Sequence, residues 1–389
     1  MNASVTLQFG PSYTEVEIGQ IRTLAVDRPL RLECGAEISN FPMAYQTIGA
    51  LNAAKSNAVL LCHGLTGDQY VVGTQPVTGK PGWWENLVGA GKAIDTDKYF
   101  VICPNVLGGC MGSYGPKSIN PATGKPFNLD FPVVTIRDMV RAQKLLVESF
   151  GVTRLLAAIG GSMGGMQVLE WAATYPDALA CAIPISCAAR HSPQNIAFHE
   201  IGRQAILADP DWCGGNYLNE RKFPAKGLAV ARMTAHVTYL SESGLQRKFG
   251  RSLQEREKLS FGFEADFQIE SYLRHQGISF VERFDPNSYL YITRALDYFD
   301  MAADHGGELR NAFRECKAAF CVISFSSDWL FPTEEVKQVV HALSSSAADV
   351  SFFEIKSDKG HDAFLLDEPA LANAVGGFLR KVEKEAGVV

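Results

Sequence analysis

The feature that most constrains the fold of this chain is a serine flanked by glycines, in residues 159–166 (IGGSMGGM). Gly160, Ser162 and Gly164 match G-x-S-x-G, the pattern of a serine on a sharp strand-to-helix turn. Such a turn needs neighbours without a Cβ atom and projects the serine Oγ toward substrate. Because the pattern is common by chance, a solvated serine in a Gly-rich connection explains these residues equally well when they are taken alone.

Around this turn the hydrophobic pattern predicts strands that alternate with helices. Short apolar runs of the kind that buried parallel strands give lie at 57–62 and 99–103, and further strand signals lie at 155–159, 179–185, 318–325 and 350–355. Residues 136–150 have helical apolar spacing, and Thr135 with Asp138 resembles a capping box. The alternation predicts an α/β fold with a mostly parallel central sheet flanked by helices.

Between residues 188 and 307 the chain is more polar and helix-like, with few buried-strand runs. We therefore predict a core domain from residues 1–187 and 308–389, with an inserted helical lid at 188–307. The length of 389 residues permits this arrangement or two to three separate domains. The segment contains many apolar residues, including Phe261, Phe263, Phe267, Tyr289, Tyr291 and Tyr298, and we expect most of them to form the core of the lid. Residues 116–132 are expected to form a long loop near the strand ends.

The composition is that of a globular protein, with 47% hydrophobic and 20% charged residues. A net charge of −6 offers no broad basic surface to nucleic acid or to an anionic membrane. The chain shows neither a membrane-spanning apolar run nor a secretion signal at its first residues, and its nine cysteines include no C-x-x-C pair. These observations predict a cytoplasmic protein with reduced, mostly buried cysteines, no metal site, no nucleic-acid or membrane partner, and small-molecule substrates.

A nucleophilic serine needs a base to take its proton and a carboxylate to orient that base. In an α/β-hydrolase arrangement the three follow in the order serine, acid, histidine, with each just past a strand. Asp328 follows the run at 318–325, and His361 follows the run at 350–355 beside Gly360. Separately, each could be a turn or surface residue, but chain order and strand context together predict the triad Ser162, Asp328 and His361. Asp358 and His341 are weaker candidates.

Two backbone amides are predicted to form the oxyanion hole. Met163 follows the serine at the start of a helix, and Leu65 lies in the loop HGLTG (residues 63–67) after a strand. His63 itself is interpreted as structural. The Gly-rich segment 106–113 lacks both G-x-G-x-x-G and a Gly-Lys-Ser/Thr sequence, so it does not indicate a nucleotide site. We expect it either to approach the active-site cleft or to be a plain turn.

Six ordered motifs make the chain, from about residue 7 onward, resemble the homoserine O-acetyltransferase family. They are HGLTGDQ (63–69), NVLGGCMGSYGP (105–116), FPVVTIRDMVRAQ (131–143), GGSMGGMQVLEW (160–171), ARMTAHVTYLS (231–241) and GHDAFL (360–365). The resemblance implies an acyltransferase of the α/β-hydrolase fold that acts in methionine biosynthesis. Such an enzyme moves acetyl from acetyl-CoA, its donor substrate, to the hydroxyl of L-homoserine by a ping-pong route without a cofactor.

The resemblance also implies individual residue roles. Ser162 would be acylated, while Arg232 and Asp362 match the substrate-binding arginine and aspartate of the family, and Tyr239 is a weaker pocket candidate. A guanidinium and a carboxylate suit the two charges of an amino acid. Gly64 stands where the family often has Ala, a change that leaves backbone donors intact. The family further implies a homodimer that associates through the lid.

Three other functions are weighed against this one. A succinyltransferase acting on homoserine or serine would use the same scaffold, but its acyl pocket would need a cation or several donors for the extra carboxylate. An esterase or peptidase would use the same catalytic residues with water as the acceptor. A hydrolase-fold binding protein without activity is disfavoured by the intact triad residues.

Overall fold

The computed structural model describes residues 2–9, 12–24 and 29–387, and within them nine strands form one central sheet. The strands are β1 (Asn2–Phe9), β2 (Ser12–Leu24), β3 (Phe41–Ile48), β4 (Ala58–Cys62), β5 (Phe100–Pro104), β6 (Leu155–Gly161), β7 (Leu179–Ile185), β8 (Ala319–Phe325) and β9 (Val350–Ile355). Their order is β1-β2-β3-β5-β4-β6-β7-β8-β9. The pairings from β5 to β9 are parallel, and those of β1, β2 and β3 are antiparallel. The predicted mostly parallel sheet is confirmed.

Helices cover both faces of this sheet. They are α1 (Ile136–Glu148), α2 (Met163–Thr174), α3 (Pro193–Leu207), α4 (Ala225–Tyr239), α5 (Glu242–Lys248), α6 (Gln268–Val281), α7 (Pro286–Asp297), α8 (Met301–Asp304), α9 (Thr333–Ser345) and α10 (Pro369–Glu385). The predicted capping box is present at the start of α1, where Thr135 and Asp138 satisfy each other's backbone N–H. A hydrophobic core lies on each face of the sheet, and consecutive strand residues point into opposite cores. Ala158 packs in the core beneath α1 and α2, and Ile159 packs in the core beneath α10.

The segment 188–307, called the lid segment below, contains helices α3 to α8 and, within its described residues, no strand of the central sheet. Tyr289 and Tyr291 are buried, as expected for lid core. The expectation is wrong for Phe261, Phe263 and Tyr298, which are 95%, 102% and 58% exposed. The two phenylalanines lie in the loop between α5 and α6, where no helix covers them.

Short pieces complete the architecture. Two-stranded pairs join Leu30–Arg31 to Glu37–Ile38, Val88–Gly89 to Ile94–Asp95, and Ile119–Asn120 to Lys125–Pro126. The last pair interrupts the predicted loop 116–132. Single 3-10 turns lie at Asn128–Asp130, Pro210–Gly215, Leu309–Phe313 and His361–Phe364. Because the carboxyl ends of parallel strands share one edge, the residues after β4, β6, β8 and β9 meet there.

Candidate active site

Ser162 lies on the turn between β6 and α2, with φ 59° and ψ −126°. This left-handed backbone conformation is strained for a residue with a side chain, and it is characteristic of a serine presented at a functional site. The Ser162 N–H donates to the carbonyl oxygen of Ile185 at 2.9 Å, which ties the turn to β7. A Cβ atom at Gly164 would lie 2.0 Å from the Cys62 oxygen, and one at Gly160 would lie 2.5 Å from the Gly164 backbone. The two motif glycines therefore allow the helix to approach β4 and β6 closely.

The structure brings the predicted acid and base together. Asp328 Oδ2 lies 2.8 Å from His361 Nδ1, and both side chains are buried. Asp328 Oδ1 accepts the N–H groups of Leu330 and Phe331 at 3.0 and 2.9 Å, which fixes the carboxylate. Burial lowers the pKa of His361, but the charge and hydrogen bond of Asp328 and the charge of Asp362 outweigh it, so the pKa lies above 6.5.

The weaker candidates for the orienting acid and the base, Asp358 and His341, do not contact Asp328 or His361 through the side-chain hydrogen bonds of the described residues. The Asp358 carboxylate pairs with Arg247 and is 42% exposed, and His341 lies on the exposed side of α9. Ser162 and His361 line one cavity, described below. Of the acids and histidines considered, the pair Asp328 and His361 therefore has the geometry of an orienting acid and a general base.

The loop after β4 places Leu65 beside Ser162, since both line the same cavities. His63 Nδ1 lies 2.8 Å from the Gly64 oxygen, and its Nε2 accepts the Val106 N–H at 3.3 Å. The second contact assigns the ring proton to Nδ1, so His63 donates to Gly64. Burial lowers the pKa of His63, which keeps the ring neutral. Since the Gly64 carbonyl and the Leu65 N–H belong to one peptide unit, His63 orients the predicted oxyanion donor, which agrees with a structural role.

Next to Ser162 is an inner cavity of about 180 Å³ that all three predicted substrate residues line, namely Arg232, Tyr239 and Asp362. The Arg232 guanidinium carbon lies 5.5 Å from the Tyr239 ring centroid, and one guanidinium nitrogen donates to Thr66 Oγ1 at 3.2 Å. Burial raises the pKa of Asp362, partly offset by His361 and Arg232. The cavity thus presents a cation and an acid beside the serine.

Two residues in this cavity were not predicted from the sequence. Arg283, just after α6, donates from a guanidinium nitrogen to the Thr66 carbonyl oxygen at 2.9 Å, and Trp83 contributes to the wall. Neither belongs to a motif with a mechanism of its own, so only the folded chain shows their position.

A side cavity of about 30 Å³ lies on another side of Ser162 and Leu65. The charged residue types Lys, Arg, Asp and Glu are absent from its described lining, which is Leu65, Ser162, His191, Asn195, Phe198, His199, Ala235, Thr238, Tyr239, Tyr289, Leu296, Leu330 and Phe331. Burial lowers the pKa of His191 to about 4, so this histidine is neutral at neutral pH. The side cavity is therefore small, and its second histidine, His199, is already paired with the Asp297 carboxylate at 2.7 Å.

His191, His199 and Asp297 place three ligand-type atoms within 4.8 Å of one another. Asp297 already accepts hydrogen bonds on both oxygens, from His199 at 2.7 Å and from Arg203 at 2.7 Å. A divalent cation here would face the Arg203 guanidinium. We therefore interpret the cluster as a hydrogen-bonded network and assign no metal to it.

The Gly-rich segment 106–113 contributes no residue to the described lining of the cavities around Ser162, so of the two expectations the plain turn agrees with the structure. It lies behind the loop 63–75, where the Gln69 side chain donates to the Met111 oxygen at 3.0 Å. Its small residues serve packing, since a Cβ atom at Gly109 would lie 2.6 Å from the Asn105 side chain. Within the described residues, no helix has the length and apolar character needed to cross a membrane.

Comparison with known proteins places this site in a family. A family model described as "alpha/beta hydrolase fold" matches residues 57–368. The homoserine O-acetyltransferases of Mesorhizobium japonicum and Caulobacter vibrioides are 64% and 63% identical over 93% of this chain, and over 93% and 95% of their own lengths.

Among solved structures, homoserine O-acetyltransferase from Bacillus anthracis has a TM-score of 0.84 at 29% identity, covering 92% of this chain and 97% of its own. Esterase E22 has a TM-score of 0.83 at 32% identity, covering 92% of this chain and 99% of its own. Identity above 60% over nearly the whole length shows that the chain belongs to the homoserine O-acetyltransferase family of the α/β-hydrolase fold.

Proposed function

We propose that this protein transfers an acetyl group from acetyl-CoA to the hydroxyl of L-homoserine through an acetyl-Ser162 intermediate. The observation that carries the proposal is the inner cavity, where Arg232 and Asp362 lie in the same space as Ser162 and His361. A guanidinium and a carboxylate beside the nucleophile match the carboxylate and the ammonium of an amino acid. The curated relatives carry the same activity in their names.

In the first half-reaction His361 takes the proton of the Ser162 hydroxyl, and Oγ attacks the thioester carbonyl. The backbone N–H groups of Leu65 and Met163 stabilise the oxyanion, and removal of one such donor typically costs about 2.7 to 4 kcal/mol. The C–S bond then breaks, and His361 returns the proton to the departing thiolate. The step leaves acetyl-Ser162 and free CoA, and it balances without a cofactor.

In the second half-reaction the amino acid binds with its carboxylate on Arg232 and its ammonium on Asp362. This pairing aims the hydroxyl at the acetyl-Ser162 carbonyl, and His361 takes the hydroxyl proton. Attack forms the new ester bond and releases the Ser162 oxygen, which regains the proton from His361. Burial raises the pKa of Asp362, and an ammonium group that pairs with the carboxylate would lower that pKa again, so the carboxylate is charged when the amino acid is bound.

The side cavity supports acetyl rather than succinyl as the transferred group. It adjoins Ser162 and Leu65, where the acyl carbon would lie, and its volume of about 30 Å³ suits a methyl group. A succinyl carboxylate would enter a space with no lysine or arginine in its described lining, with His191 neutral and with His199 already paired with Asp297. Burial of an unpaired carboxylate is strongly unfavourable.

Hydrolysis is the second candidate function, because the fold of esterase E22 matches that of this chain with a TM-score of 0.83. Transfer requires water to be disfavoured at the acyl-enzyme. We propose that residues 188–307 act as a lid on a core formed by 1–187 and 308–389. The lid supplies Arg232 and Tyr239, which close one side of the inner cavity over Ser162.

The test is CoA release from acetyl-CoA by purified protein, measured with and without L-homoserine. We expect sustained release only with homoserine and no release by Ser162→Ala. Equal release without homoserine would show an esterase, and a preference for succinyl-CoA would show a succinyltransferase.

A homodimer that associates through the lid segment, a place in methionine biosynthesis and a cytoplasmic location are proposals that follow from the family resemblance. The exposed Phe261 and Phe263 give the lid segment apolar surface for association. Light scattering of the wild-type protein tests the dimer, since a monomeric mass at assay concentrations contradicts it.

A further inference from the structure

Two guanidinium groups from different parts of the lid segment meet at the edge of the inner cavity. Arg232 belongs to α4 and Arg283 follows α6. Their guanidinium carbons lie 4.8 and 5.3 Å from the centroid of the Phe280 ring, and both side chains donate to Thr66. Both also line an outer cavity of about 220 Å³, so the pair stands where the two cavities join.

Within the described part of the chain, no carboxylate oxygen lies within 4.0 Å of either group. By contrast, the buried Arg203 pairs with Asp297 and Glu200 at 2.7 and 2.9 Å. Burial and repulsion from Arg232 lower the pKa of Arg283 to about 10. The Asp68 carboxylate, which lines the outer cavity beyond 4.0 Å from the pair, opposes this lowering. An anion that binds between the two guanidinium groups would stabilise both charges.

The inner cavity limits which end of a ligand can supply that anion. Asp362 lines the same cavity and would repel a carboxylate, while it attracts an ammonium group. A zwitterionic amino acid therefore has one favourable orientation, with its carboxylate toward the two arginines. Each guanidinium has five N–H donors, of which the contact with Thr66 uses one, so donors remain for a ligand.

We propose that Arg283 is a second binding residue for the carboxylate of the acceptor amino acid, which it holds together with Arg232. This inference rests on the proposed function, because it identifies the acceptor as the anion. The competing assignment is an anionic part of the acyl donor, which would reach Arg283 from the outer cavity. The two assignments differ in the half-reaction that a change at Arg283 affects.

The experiment compares Arg283→Gln with Arg274→Gln, which removes an exposed arginine from α6. Loss of a charge-assisted hydrogen bond predicts a homoserine KM raised on the order of 10- to 100-fold in Arg283→Gln and unchanged in the control. The rate of the first CoA release without homoserine should change by less than about twofold, because it needs no acceptor. Arg283→Lys, which keeps the charge but loses the planar fork, should give an intermediate KM.

A second acceptor distinguishes carboxylate binding by Arg283 from mere support of the loop that contains Thr66. With 3-aminopropanol, which has the amine and the hydroxyl but no carboxylate, wild type and Arg283→Gln should have the same kcat/KM. An equal loss with both acceptors, or a slower first CoA release, would mean that Arg283 only supports the Thr66 loop and would overturn the proposal. A raised KM for acetyl-CoA alone would assign the pair to the donor. If wild type transfers no acetyl to homoserine, the proposed function itself fails.

Discussion

Replacing Asp328 by Asn tests the catalytic assignment through the proton position on His361. Asp328 Oδ1 accepts two backbone N–H groups, and Oδ2 lies 2.8 Å from His361 Nδ1. In the variant the amide oxygen must face the two backbone donors, so the amide NH₂ faces His361. That NH₂ donates to Nδ1 and leaves the ring proton on Nε2, where His361 can no longer accept the proton of Ser162.

The expected loss is large because the base is disabled in both half-reactions. The equivalent change in a serine-protease triad lowers kcat about 10⁴-fold, which corresponds to about 5 kcal/mol of transition-state stabilisation. We therefore expect Asp328→Asn to lose about 10³- to 10⁴-fold in kcat. The first CoA release and the homoserine-dependent turnover should fall together. Both can be followed with a thiol reagent, and thermal unfolding checks that the variant folds.

The matched control is Asp358→Asn, which changes the weaker candidate for the orienting acid, three residues before His361. Its carboxylate pairs with Arg247 at the surface and has no contact with His361, so activity should stay within about twofold of wild type. A loss below about tenfold in folded Asp328→Asn would refute the assignment of Asp328 as the orienting acid. A larger loss in Asp358→Asn would support the loop acid instead.

Three further predictions concern pH, acyl size and packing. The pKa of His361 is raised above 6.5, and the neutral ring is the base in the proposed mechanism, so kcat/KM should fall as the pH drops through a value above 6.5. A pH profile whose acidic limb is centred below 6.5 contradicts this. Phe198→Ala enlarges the side cavity, so turnover of propionyl-CoA relative to acetyl-CoA should rise on the order of tenfold, and an unchanged ratio argues against that cavity as the acyl site. Gly164→Ala puts a Cβ atom 2.0 Å from a backbone oxygen of β4, so thermal unfolding should show a stability loss of about 1 to 3 kcal/mol or more. Gly377→Ala on α10 is the control, because its Cβ atom would lie 3.9 Å from the nearest atom and should cause no such loss.

The parallel part of the sheet and the site residues after its strands could be predicted because their signals are local. An apolar run followed by a loop residue indicates Asp328 and His361 as candidates, and parallel pairing then carries both to one edge of the sheet. The antiparallel strands β1 to β3 were not predicted, although residues 12–24 (SYTEVEIGQIRTL) alternate polar and apolar side chains as a strand does. That signal was available in the sequence.

The rest could not be predicted because it depends on contacts between distant segments. The role proposed for Arg283 depends on the contact of its side chain, just after α6, with Thr66 in the loop after β4. The exposure of Phe261 and Phe263 depends on whether a helix covers their loop, and residue type does not determine this. Hydrophobicity predicts that a side chain favours burial, but the tertiary structure decides whether a partner is present.

The choice between transfer and hydrolysis lies in side chains rather than in the backbone. Esterase E22 and the Bacillus anthracis homoserine O-acetyltransferase match this chain with TM-scores of 0.83 and 0.84, so overall shape does not separate the two reactions. Water needs no charged residues to bind. An amino acid, in contrast, would be oriented by Arg232 and Asp362, which offer opposite charges to its carboxylate and ammonium groups in one cavity. Binding energy from these remote groups can place the acceptor hydroxyl at the acyl-enzyme and make it outcompete water. In the proposed mechanism the charges around Ser162 therefore select the acceptor, while the triad supplies the chemistry that both reactions share.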